Sequence, residues 1–276
     1  MIKIYFTGNW GESSTNMLKR YAKQTPKCLG KWDNLVGVDN PNIADFFIVL
    51  EGSNLNLPLD RTIYIKREPD FIQPFNANHY KHVINFETQN GGVTYWLGKT
   101  YDELSELKYP EKKKGISCIV SAKHLHRVNF IKKLFSTNVD IDLYGRGHDK
   151  KIYGESYKGE LNYNGNCKYR GLIDYRYSIV MENSIQKNYW TEKIADSFLS
   201  WSIPLYWGCP NLTDYFPEKS FIPIDIKSDD SLKDVIKLTK YGIDSNMLKS
   251  LKESREMVLN EYNIWEIINK KIKNIK

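Results

Sequence analysis

Residues that build disulfides and metal sites are scarce in this chain of 276 residues. Its four cysteines, Cys28, Cys118, Cys167 and Cys209, form no C-x-x-C pair and no metal-ligand spacing. Cys118 sits inside an apolar run and reads as a small core residue. The five histidines include one close pair, His124 and His126, and side chains two apart on a helix diverge, which makes a poor metal clamp. No stretch approaches the ~18–20 consecutive apolar residues of a membrane span. The opening MIKIYFTGNW is too short and too soon interrupted for a signal peptide. Those absences predict a soluble protein of the cytoplasm with no membrane span. Internal repeats and low-complexity tracts are missing too. Charge of one sign is not concentrated either: the net +7 comes from 40 basic and 33 acidic residues spread along the chain. The longest basic run, Lys112–Lys114, reads as a solvated linker rather than a nucleic-acid patch, so no nucleic-acid partner is expected. The mild positive balance suits an anionic ligand such as a nucleotide diphosphate.

What is present is enough to build cores. Hydrophobic residues make up 41% and aromatics 13%, and the length allows two domains of ordinary size. Strand-like and helical patterns alternate. Residues 2–7, 44–52, 61–68 and 81–87 are strand-like, with a helix at 15–23. The charged, proline-containing LKYPEKKKG at 107–115 marks a linker. Beyond it the pattern predicts strands at 116–122, 140–145, 177–182, 202–208 and 221–226. Helices are predicted at 125–135 and 190–200, a short one at NLTDYF, and two more from Ser231 and from Asp244. The implied domains are 1–110 and 111–245, followed by a helical segment at 246–276 that could pack back on the first. Repeated strand–helix–strand units imply parallel sheets with right-handed crossovers. The fold class is therefore α/β, with two Rossmann-like domains facing across a cleft. Ligands of such sheets bind beyond the carboxyl ends of the strands.

The stretch MENSIQKNYWTEKIAD, residues 181–196, carries a glutamate and a lysine, Glu192 and Lys193, at the start of a helix. At about 100° per residue, Trp190, Ile194, Ala195, Phe198, Leu199 and Trp201 share one half of it. Tyr189, Glu192, Lys193, Asp196 and Ser200 share the other. A solvated pair of charges is the simplest account of Glu192 and Lys193. Yet a lysine in the first turn of a helix is mildly unfavourable, because that end carries partial positive charge. Arg127 stands in the same kind of position, in the first turn after strand 116–122. An anion held between the two cations would reverse the sign of both terms, and a nucleotide diphosphate fits.

The segment Tyr175–Ile224 resembles the signature region of the α-1,3/1,4-fucosyltransferases, glycosyltransferase family 10. Its matching elements are an aromatic-rich strand, Glu182-Asn183-Ser184, a spacer, Tyr189, Thr191-Glu192-Lys193, and a helix leading to a strand that ends at Gly208. Upstream, SAKHLHRVNFIKKL, NWGESS and IYIKREP are similar to further family segments. The resemblance implies the GT-B architecture, GDP-fucose as donor and inversion at the anomeric carbon. It assigns Arg127 and Lys193 to the diphosphate, Glu192 to the ribose hydroxyls and Asn183 and Tyr189 to the donor pocket. Glu68 becomes the catalytic base, with Glu12 and Asp70 as alternatives. Met181 and Trp190 depart from the residues common in the family and could reshape the pocket around the sugar. No tightly bound metal is implied: Asp140-Ile141-Asp142 matches D-x-D literally, but alternate residues of a strand do not form a clamp.

Three readings are weighed. One is a fucosyltransferase acting on a glycan acceptor, another a transferase of the same build using a different nucleotide sugar, and the third a catalytically silent carbohydrate-binding module. Retention of all five donor-side residues opposes the third, and a panel of donors separates the first two. Acceptor recognition falls to loops 9–15 and 69–79, where Trp10, Phe71, Phe75 and Tyr80 could stack on sugar faces. Neither the acceptor, the linkage nor the oligomeric state is encoded in any motif.

Overall fold

Runs such as Phe46–Leu50 and Ile203–Trp207 do not alternate, and all five side chains of each are buried. Strands covered on both faces, as in parallel α/β sheets, have this composition. The computed structural model describes residues 1–9, 11–69, 79–86, 97–137, 139–161, 167–238 and 242–275. The chain divides into two compact units, the first comprising Met1–Thr94, Thr100–Glu106 and Leu259–Lys276, and the second Tyr95–Lys99 and Leu107–Val258.

In the first unit the strands are β1 (Ile2–Gly8), β2 (Lys31–Trp32), β3 (Leu35–Gly37), β4 (Phe46–Leu50), β5 (Thr62–Lys66) and β6 (His82–Asn85), with helices α1 (Ser14–Ala22) and α2 (Tyr101–Glu106). They form a sheet of order β2-β3-β1-β4-β5-β6. All neighbours run parallel except β2 and β3. That short antiparallel edge has no periodic signal in the sequence.

The second unit holds β7 (Lys114–Ile119), β8 (Ile141–Tyr144), β9 (Tyr175–Met181), β10 (Ile203–Trp207) and β11 (Ile222–Pro223). Its helices are α3 (Leu125–Phe135), α4 (Lys150–Tyr153), α5 (Cys167–Arg170), α6 (Glu192–Leu199), α7 (Asp229–Leu238) and α8 (Ser245–Glu256). The sheet is wholly parallel in the order β11-β10-β9-β7-β8. Strand β8 lies on one side of β7, and β9 to β11 lie on the other. The order reverses between β7 and β9, so connections leaving those two strands part to opposite sides and open a crevice at their carboxyl ends.

Two expectations are corrected here. Helix α6 begins at Glu192, with Thr191 as its N-cap, and it lacks the exposed polar half read from the wheel. Asp196 and Ser200 are fully buried along with the apolar residues, because β9, β10 and α8 all pack on this helix. Asp196 tolerates burial through an ion pair with Lys168. Lys112 is likewise not a solvated linker residue: its Nζ donates to Ile173 O at 2.7 Å and to Ser200 O at 2.8 Å. Ser200 is the C-cap of α6, where carbonyls lack intrahelical partners and take outside donors.

The two closing helical patterns become three. After α8 a π-helical turn, Met257–Glu261, leads into α9 (Ile264–Ile275). Asn263, just before this last helix, donates through Nδ2 to Gln24 O at 2.9 Å, while Trp265 Nε1 donates to Tyr21 O at 2.9 Å. Ile264, Trp265, Ile267, Ile268 and Ile272 join Ile4, Phe6, Ile48 and Ile63 in one core of the first unit. Among the described residues no helix is long and apolar enough to cross a membrane.

Candidate active site

Arg127 is the third residue of α3 and only 4% exposed. Its Nη1 donates to Met181 O at 3.1 Å and its Nη2 to Asn183 Oδ1 at 2.9 Å. The guanidinium thus bridges the crevice, tying the helix after β7 to the backbone leaving β9. Burial pulls its pKa below the ordinary arginine value, and the nearby Glu182 carboxylate opposes that shift. Its Nε is buried and has no hydrogen-bond partner among the described residues.

Lys193, the second residue of α6, does not face open solvent. Its Nζ donates to Glu182 Oε2 and to Thr191 Oγ1, each at 3.1 Å. Glu192 Oε1 lies 3.8 Å away. Glu182 is fully buried, yet every contact it makes suits a carboxylate. Oε1 accepts from Thr191 N at 2.9 Å and Oε2 from Thr191 Oγ1 at 2.8 Å. Its own N–H donates to Trp207 O at 2.9 Å, extending the β9–β10 ladder. The anion that offsets a lysine in the first turn is therefore a side chain of this protein. Glu182 was part of the motif but received no role, although a carboxylate directly after an unbroken apolar strand is a signal for a buried charge with a partner.

Glu192 sits beside this pair. Burial alone would raise its pKa, but Lys193 and Lys168 outweigh that and hold it below the ordinary carboxylate value. Asn183 is half-buried on Arg127. Tyr189 has no exposed surface. Its loop is anchored from Asn211, whose Oδ1 accepts from Asn188 N and whose Nδ2 donates to Asn188 Oδ1, both at 2.8 Å. Met181 and Trp190 are buried as well, Trp190 against Tyr215 and Phe216.

His124 and His126 flank Arg127, and burial followed by that cation lowers both pKa values. Among the described residues no group of three His, Cys, Asp or Glu side chains could hold a metal ion. In the D-x-D sequence, Asp142 instead accepts from Tyr175 Oη at 2.6 Å and pairs with Lys114 at 3.2 Å and Lys158 at 3.1 Å.

Glu68, in the first unit, follows β5 and is half-buried. Its backbone N–H donates to Glu51 Oε1 at 3.2 Å, and that of Arg67 donates to the same atom at 2.6 Å. Glu51 is 4% exposed and holds a left-handed φ of 61° just past β4. Burial raises its pKa, with the Arg67 charge opposing. Sequence reasoning missed this carboxylate, which clamps the turn carrying Glu68. Of the alternatives, Glu12 is bonded to Arg20 at 2.5 Å, and Asp70 lies outside the described residues. Trp10, Phe71 and Phe75 lie outside them too, while Tyr80 packs on buried Tyr64 at 4.9 Å.

The family model for glycosyltransferase family 10 (fucosyltransferase), C-terminal part, matches residues 109–265, more than half of the chain. The α-(1,3)-fucosyltransferase FucT of Helicobacter pylori is 39% identical over 85 residues, covering 30% of this chain and 18% of that protein. The match therefore spans well under two thirds of that relative's length. Among solved structures, an α1,3-fucosyltransferase with GDP is similar at a TM-score of 0.57 and 19% identity, over 99% of this chain and 89% of the other. A DNA-modifying β-glucosyltransferase, solved in the presence and absence of uridine diphosphoglucose, has a TM-score of 0.56 at 13% identity, over 100% of both chains. Such identities speak for the fold, the two-domain α/β architecture of GT-B enzymes. With the signature residues gathered at one crevice and the family model matched across it, the chain belongs to glycosyltransferase family 10.

Proposed function

We propose that this chain transfers fucose from GDP-fucose to a hydroxyl of a glycan acceptor, with inversion at the anomeric carbon. The second unit takes the donor and the first the acceptor. The observation that carries this reading is the pair of cations at the carboxyl ends of β7 and β9, each held by internal partners at the reversal of strand order. Arg127 and Lys193 stabilise the charge that gathers on the departing diphosphate, and their positions cost no reorganisation during the reaction. Glu192, kept ionised by Lys193 and Lys168, accepts from the ribose hydroxyls. Asn183 orients the guanidinium, and with Tyr189 it belongs to the donor pocket. Glu68 takes the proton of the acceptor hydroxyl while GDP leaves from the opposite face of the sugar.

A second reading, the same chemistry with another nucleotide sugar, draws on the likeness in fold to a glucosyltransferase whose named substrate is uridine diphosphoglucose. The shared fold does not choose between them. The test is GDP release from GDP-fucose against GDP-mannose and UDP-sugars, each with a mixed glycan acceptor, beside calorimetric binding of GDP and UDP. Release confined to GDP-fucose, with GDP bound more tightly than UDP, is the expected result. Release from a UDP-sugar alone would replace the donor, and no release from any donor would leave a binding module.

A further inference from the structure

We propose that Glu182 is a positioning residue for donor turnover, acting through Lys193. This rests on the assignment of Lys193 to the donor diphosphate. A lysine is a point charge on a flexible stem, and without an anchor its ammonium samples many positions. Here two of its donors point at fixed acceptors, Glu182 Oε2 and Thr191 Oγ1. Both acceptors are themselves locked. The Glu182 carboxylate is held by the Thr191 N–H and hydroxyl, and the Glu182 backbone by Trp207 O. Thr191 is in turn the N-cap of α6, accepting from Lys193 N at 3.3 Å. One carboxylate therefore sets the ammonium, the cap and the start of the helix together.

The electrostatics point the same way. Arg127 and Lys193 both feel Glu182: the first through its charge and the second through an ion pair. The buried anion thus offsets the charge of both cations. The N-terminus of α6 adds its own partial positive charge for an incoming diphosphate. Burying an ion is costly unless its partners are well placed, and here they belong to the proposed diphosphate site.

The decisive experiment is a double-mutant cycle of Glu182→Gln and Lys193→Gln. Glutamine at 182 keeps the shape but removes the charge that orients the ammonium; glutamine at 193 keeps a donor toward Glu182. Glu182→Gln should lower kcat at least tenfold with the melting temperature retained. In the Lys193→Gln background it should change kcat less than threefold, because the group it acts through is gone. Glu182→Asp, which keeps the charge, should recover part of the loss. Equal losses in both backgrounds would overturn the proposal. A second readout needs no turnover: reductive methylation of Lys193, followed by mass spectrometry, should be faster in Glu182→Gln than in the unmodified protein. An unchanged rate would refute the positioning role even if the chain proved not to be a fucosyltransferase. Failure of the unmodified protein to bind GDP would instead sink the functional reading alone. Should Glu182→Gln fail to fold, the Glu182→Asp methylation rate decides: a rate no faster than that of the unmodified protein would overturn the proposal.

Discussion

A β-carbon added at Gly208 would lie 2.5 Å from Cγ of Glu182 and 2.6 Å from the hydroxyl of Tyr206. The glycine directly after β10 leaves the space that the Glu182 side chain occupies. Gly208→Ala is therefore expected to displace Glu182 and cost about 1–3 kcal/mol, the usual penalty of overpacking. Urea denaturation gives the stability and calorimetry the loss of GDP affinity. An unchanged midpoint would mean that the strand end is looser than described.

Arg127→Ala should reduce turnover at saturating donor at least tenfold, since one preorganised donor to a developing anion is worth ~2–4 kcal/mol. Arg127→Lys should not recover it, because a single ammonium cannot span Met181 O and Asn183 Oδ1 as the guanidinium fork does. Steady-state kinetics at varied donor check both, and near-native turnover in Arg127→Ala would remove Arg127 from the diphosphate site.

Glu68→Gln should leave GDP binding intact while turnover falls by roughly 10²–10⁴-fold, the usual worth of a positioned general base. Glu12→Gln should change turnover little, because Glu12 is committed to Arg20. Isothermal titration with GDP and turnover at saturating donor separate the two quantities. A loss of GDP affinity with turnover preserved would reassign Glu68 to binding.

Lys112 carries a pH prediction. Burial pushes its pKa down from 10.5 to about 7, with Asp174 opposing. Between those values the unfolded chain holds a proton on this amine that the folded chain lacks. Stability then rises with pH, because the unfolded state binds more protons. The contribution is complete above the unfolded value and is lost as pH falls through about 7. The stability of the unmodified protein minus that of Lys112→Met, measured by urea denaturation, should increase from pH 6 to pH 9. A flat difference would show that the two carbonyls hold the ammonium charged.

Much of the candidate site could be read beforehand because Asn183, Tyr189, Glu192 and Lys193 sit in one continuous segment with fixed spacing, with Arg127 at a helix start upstream. Arg127, Asn183, Glu192 and Lys193 gather at the crevice, and Arg127 bonds directly to Asn183. The two carboxylates that organise the neighbourhoods, Glu182 and Glu51, were not recognised. Each follows an apolar strand and looks like an ordinary strand terminator. Their functions depend on which backbone N–H groups arrive opposite them: those of Thr191 for Glu182, and of Arg67 and Glu68 for Glu51.

The sequence by itself determined the alternation of strands and helices and the start of α3 at Leu125, because hydrophobic period and local chain signals act over a few residues. It also carried the order and spacing of the family signature. Only the tertiary structure decided that strand order reverses at β7, placing Arg127 beside the end of β9. It also decided that Asp196 and Lys112 are withdrawn from water, and that Lys193 turns inward to a carboxylate 11 residues earlier. The physical reason is range. Periodicity records which face of an element is apolar, whereas the partner of a buried charge is set by which distant backbone and side chains close around it. That choice is made by the free energy of the assembled core and has no local signature.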